Sequence, residues 1–182
     1  MEEKLLQWNR TTAAIYKNVL LYSVAGVVAS LFGIIPLCGW IADIASVLLI
    51  AGFVAFYMRV KDLALLASEQ DAAALNKLSN GVCIFLLAKM LVYIPAIGSL
   101  FLGPIAMVVA FVLMLLAYNS LKKSETFPNA CGMKTLSLAL ILGVVGAVLA
   151  IIPLIGIVGK IIILVAYIMI ILGWKKVATP AE

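Results

Sequence analysis

Pro36-Leu37-Cys38-Gly39 is the first of three matching turns in this chain; the others are Pro95-Ala96-Ile97-Gly98 and Pro153-Leu154-Ile155-Gly156. Each follows an apolar run ending in isoleucine and precedes another apolar run, and the prolines stand 59 and 58 residues apart. A fixed period of that length marks a repeat architecture. Proline lacks a backbone donor and biases the residue before it, here Ile35, Ile94 or Ile152, away from helical dihedrals. The first helix of each copy should stop there. Glycine three residues on tolerates the positive φ of a tight reversal. If the chain stayed helical through the first turn, residues 19–58 would make an apolar rod of 40 residues. At 1.5 Å per residue that is about 60 Å, twice the roughly 30 Å of a bilayer core. Reversal keeps both halves in hydrocarbon.

Composition sets the solvent. The 182 residues are 66% apolar and 12% charged, with a mean hydropathy of +1.24. Soluble domains are nearer half apolar and a quarter charged. The expected fold is an all-α, polytopic membrane bundle of six transmembrane helices, arranged as three tandem αα-hairpin repeats of about 58 residues. Residues 1–182 form a single transmembrane domain, with hairpins at about 19–58, 78–121 and 133–176 and cytoplasmic loops at about 59–80 and 119–134. The first apolar run begins after 18 mostly polar residues and leads straight into a hairpin, so an uncleaved anchor is expected rather than a signal peptide.

The individual spans carry some irregularities. Residues 1–18 read either as a helix on the membrane surface or as a disordered tail. Residues 19–35 and 39–58 are long enough to cross. The third apolar run, 81–94, is short and contains Lys89. Ser68 followed by Asp71 is a helix-start signal, so a helix from about residue 69 would project from the membrane before entering it. A re-entrant segment is the rival reading. Pro104 either starts the fourth helix or kinks it. Residues 135–152 and 157–174 complete the set.

Eleven of the 13 basic residues fall on one side of this layout. Lys4, Arg10 and Lys17 precede the first span; Arg59, Lys61 and Lys77 lie between the second and third; Lys122, Lys123 and Lys134 lie between the fourth and fifth; Lys175 and Lys176 follow the sixth. By the positive-inside rule, both termini and both long loops face the cytoplasm of a bacterial inner membrane. Trp8, Tyr16, Tyr22, Tyr57, Tyr118 and Trp174 then read as an inner interfacial belt, and Trp40 and Tyr93 as an outer one. The net charge of +5 is explained by this orientation, so membrane lipids rather than nucleic acid are the expected partners.

The candidate functional residues are the charges inside spans, which are costly and normally face a partner or water. Seven residues after the proline stand Asp43 in the first copy and Lys160 in the third, an acid and a base at matching positions. They read either as an ion pair between hairpins or as side chains snorkelling near the outer surface. Lys89 lies near mid-membrane, where the sibling copies have Ser30 and Ala147. It suggests an anion or proton path, or a static charge pair. The small-residue stripes Gly26, Ala29, Ser30 and Gly33 in the first span and Gly143, Gly146, Ala147 and Ala150 in the fifth suggest that these two spans pack together, or that they serve an oligomer interface.

Histidine is absent, and Cys38, Cys83 and Cys131 lack metal-type spacing. No nucleotide-binding, metalloprotease or hydrolase motif is present. No metal or cofactor is expected, and the chain is read as a non-enzyme. The leading expectation is a structural or interaction component of the inner membrane, self-associating or bound to another membrane protein. The alternative is a small channel or transporter for an unknown small molecule or ion, with a path past Lys89, Asp43 and Lys160. A membrane-shaping hairpin protein is a third reading.

Overall fold

A segment crossing lipid must satisfy its own backbone donors and acceptors, and a helix does so without a partner strand. The computed structural model describes residues 2–32, 39–91, 102–124, 130–151 and 155–179. They form six helices: α1 (Glu2–Phe32), α2 (Gly39–Leu66), α3 (Glu69–Leu91), α4 (Gly103–Leu121), α5 (Ala130–Ile151) and α6 (Gly156–Ala178). Five are long and apolar enough to cross a membrane, and α4 carries a shorter apolar run, Ile105–Leu121.

Pro36, Pro95, Gly98 and Pro153 lie outside the described residues, as do Gly33, Cys38 and Tyr93. Gly39 and Gly156 are the first residues of α2 and α6. Gly39 has no positive φ, and a methyl group there would meet nothing within 4 Å. Steric necessity therefore does not account for that glycine. Pro104 occupies the first turn of α4, where its missing donor costs no helical bond, so it starts the helix rather than kinking it.

Two connections differ from the sequence reading. The N-terminal segment is neither a surface helix nor a tail: it is the first half of α1, with Trp8, Thr12 and Ile15 buried. The Thr12 hydroxyl bonds back to the Trp8 carbonyl at 3.1 Å, which lets a polar side chain sit inside the bundle. The connection expected at 59–80 is helical except for Ala67 and Ser68. Ser68 caps α3, its Oγ accepting from the Asp71 N–H at 3.4 Å and donating to Asp71 Oδ2 at 3.0 Å. The start signal read at Ser68 and Asp71 is thus realised, and α3 runs unbroken from Glu69.

The helices form a closed ring. Each packs on its neighbours in the order α1, α2, α3, α4, α5, α6 and back to α1, and among the described residues no other pair of helix backbones comes close. The pairs α1/α2, α3/α4 and α5/α6 pack most extensively. Asp71 meets Ser124 and Phe85 meets Phe111, so α3 and α4 are antiparallel. Gly132 lies against Gly173, and Gly146 against Gly159, so α5 and α6 are antiparallel too. Lys61 with Asn76 and Phe53 with Phe85 give the same sense for α2 and α3.

The expected packing of the first span on the fifth does not occur, because α6 stands between α1 and α5 in the ring. A Cβ on Gly26 would lie 2.7 Å from the Tyr167 hydroxyl of α6, and one on Gly146 would lie 2.8 Å from the Gly159 carbonyl of α6. Small residues do admit close approach, but to α6 in both cases. Ala29 is half-buried; Ser30 and Ala150 lie within α1 and α5.

The core sits toward the end of the ring that carries both termini. Ile15, Val60, Leu75, Leu121, Leu136 and Trp174, one from each helix, are fully buried there. The outer face is apolar: Leu20, Val47, Leu87, Val108, Val148 and Ile168, again one per helix, are all more than 40% exposed. An apolar exterior over a packed interior suits lipid as the surrounding solvent.

Candidate functional site

Six helices closed into a ring leave an axial space that their side chains must fill. At the end carrying the termini they fill it. Trp174 reaches in from α6, stacks edge-on against Phe56 of α2 with centroids 5.5 Å apart, and donates from Nε1 to the Tyr118 hydroxyl of α4 at 3.3 Å. Beyond this layer the filling fails, because α5 presents Ala139, Gly143 and Ala147 to the interior. A Cβ on Gly143 would have its nearest neighbour 3.9 Å away, at Ala166. The result is a cavity of about 190 Å³.

All six helices line it, contributing among others Tyr22, Phe53, Lys89, Phe111, Gly143 and Tyr167. Its wall is aromatic. Tyr22 stacks on Phe53 at 4.1 Å, Phe53 leans on Phe85 at 4.9 Å, and Phe85 meets Phe111 edge-on at 5.9 Å. Lys89 is the one charged group among the described residues of the lining, with Nζ 5.6 Å from the centre of the Phe85 ring. That is within cation–π range. No acidic residue lines the cavity, and Lys89 makes no ion pair among the described residues.

The other embedded charges are elsewhere. Asp43 on α2 and Lys160 on α6 are both exposed, sit on helices that are not ring neighbours, and form no ion pair with each other. Neither is among the described residues that line the cavity with Lys89. Of the small-residue stripes, Gly143 and Ala147 border the cavity, whereas Gly26 and Gly146 serve helix packing.

The aromatic belt read from the sequence is overturned for Tyr22, Tyr118 and Trp174, which are 3%, 5% and 0% exposed and belong to the interior. Trp8 is buried as well, while Trp40 is 64% exposed. Of these interior aromatics, Tyr22 and Tyr118 line the cavity, a placement that sequence reasoning missed. An aromatic near a helix end signals depth in the membrane, not the direction in which it points.

A second polar feature lies at the end bearing the termini. Ser124 donates to Asp71 Oδ2 at 2.7 Å, tying the residues just past α4 to the first turn of α3. Asp71 is 4% exposed, an acid held by two hydroxyls. Among the described residues no group of His, Cys, Asp and Glu is arranged to hold a metal ion. No protein-family model, curated protein or solved structure matches the chain.

Proposed function

We propose that this chain is a six-span protein of the bacterial inner membrane, built as three tandem hairpins with both termini cytoplasmic, and that it binds a small, mainly apolar molecule inside its ring. The observation that carries this reading is the cavity to which all six helices contribute. A purely structural bundle has no use for a void, since unfilled interior space costs stability. The work of such a site is binding or carriage rather than bond chemistry.

The helix contacts support the hairpin layout. Halfway between Tyr22 and Gly52, which touch, is residue 37. Halfway between Gly81 and Ala110 is the bond from residue 95 to 96, and halfway between Gly146 and Gly159 is the bond from 152 to 153. All three midpoints fall in or beside the Pro-x-x-Gly turns. The eleven flanking basic residues support the orientation. The apolar exterior leaves room for a second copy or another membrane protein as neighbour, and the structural or interaction role remains the second reading on that ground.

Binding is tested on purified protein in lipid nanodiscs with toluene as a neutral probe. Wild type should melt at a higher temperature in its presence, whereas Ala147→Phe, which fills the cavity, should melt unchanged. An equal shift in both proteins, or none in wild type, would contradict a binding cavity.

A further inference from the structure

The lining of the cavity has a chemical asymmetry. Its strongly polar groups are the Lys89 ammonium and the hydroxyls of Tyr22, Tyr118 and Tyr167; none is a carboxylate. The Tyr118 oxygen already accepts from Trp174. The Tyr22 and Tyr167 hydroxyls make no hydrogen bond among the described residues, although Tyr22 is only 3% exposed. Lys89 therefore stands at an apolar space whose described lining holds no anion. A cation in such surroundings is costly unless paired, and an unpaired hydroxyl adds to that cost.

We propose that the cavity binds a compact monocarboxylate, its carboxylate held by Lys89 and its apolar body lodged among Phe53, Phe85 and Phe111. The proposal rests on the binding role argued above and names the class of molecule bound. Size sets the upper limit. An apolar cavity of about 150 Å³ takes one benzene ring, and this one, at about 190 Å³, has space for a ring or short alkyl body with one carboxylate. A long acyl chain exceeds it. A bare inorganic anion would leave the aromatic wall uncovered. A lone ammonium and neutral hydroxyls do not select a cationic amine, which Lys89 repels.

Binding of sodium benzoate to the full-length protein in nanodiscs, followed by calorimetry and melting temperature, tests this. Toluene, benzylammonium chloride and sodium chloride at matched ionic strength are the comparison probes. The expected result is saturable benzoate binding, none for benzylammonium and no displacement by chloride. Lys89→Met should weaken benzoate roughly tenfold or more, as loss of a charge-assisted contact does, while leaving the toluene shift in place. If Lys89→Met does not fold, the comparison of benzoate with benzylammonium and chloride on wild type decides. Toluene binding without benzoate binding would overturn the carboxylate assignment and leave the binding cavity standing. Equal benzoate affinity in Lys89→Met, or full displacement by chloride, would overturn it as well. Failure of every probe would remove both proposals.

Discussion

The indole N–H of Trp174 donates to the hydroxyl of Tyr118 at 3.3 Å, joining α6 to α4 through the interior of a ring in which those two helices are not neighbours. Phe56 of α2 meets the same indole edge-on. One side chain thus braces three helices. Replacing it should loosen the ring as a whole. Trp174→Ala should cost about 3–5 kcal/mol, as large-to-small core changes do. Tyr118→Phe, which removes only the hydrogen bond, should cost about 0.5–1 kcal/mol. Reversible unfolding in detergent or bilayer checks both, and equal losses would contradict the bracing role of the indole.

The glycines of α5 should divide into two kinds. A Cβ on Gly146 meets the Gly159 carbonyl at 2.8 Å, whereas one on Gly143 has nothing nearer than 3.9 Å. Gly146→Ala should lose about 1–3 kcal/mol through overpacking, and Gly143→Ala should stay within about 0.5 kcal/mol of wild type. Melting of the two variants side by side is the measurement, and the reverse order would contradict the packing of α5 on α6.

Asp71 and Ser124 should be energetically coupled. Their 2.7 Å hydrogen bond ties the first turn of α3 to the residues just past α4. In a double-mutant cycle, Asp71→Ala and Ser124→Ala should show an interaction energy of about 0.5–3 kcal/mol. Additive losses would mean that the bond does not stabilise the bundle.

Asp43 and Lys160 should be uncoupled. Both are exposed and lie on helices that are not neighbours in the ring. Asp43→Asn and Lys160→Met should combine additively to within about 0.3–0.5 kcal/mol. A larger coupling would bring the outer ends of α2 and α6 together.

What the sequence made legible follows from local chemistry. Ser68 and Asp71 locate the start of α3, and Pro104 sits where a helix tolerates it. Lys89 was legible as a charge lacking counterparts in the sibling copies. Its surroundings were not, because the aromatic wall comes from side chains on several helices. Helices apolar on every side give hydropathy no means to tell the face of Leu20, which is exposed, from that of Val19, which is fully buried. For the same reason the stripes at Gly26 and Gly143 were read as partners, although α6 separates their helices. The start of α1 was obscured because its polar residues resemble a tail until Trp8, Thr12 and Ile15 are seen to be buried together.

The central claim is that the chain doubles back across the membrane three times, with its basic flanks on a common side. Membrane-impermeant thiol labelling of intact cells tests it most directly, using single-cysteine proteins bearing Cys38, Ile97→Cys, Ile155→Cys or Cys131. The account predicts rapid labelling at the three turn positions and labelling of Cys131 only after permeabilisation. Protection of any turn position together with free access to Cys131 in intact cells would contradict it.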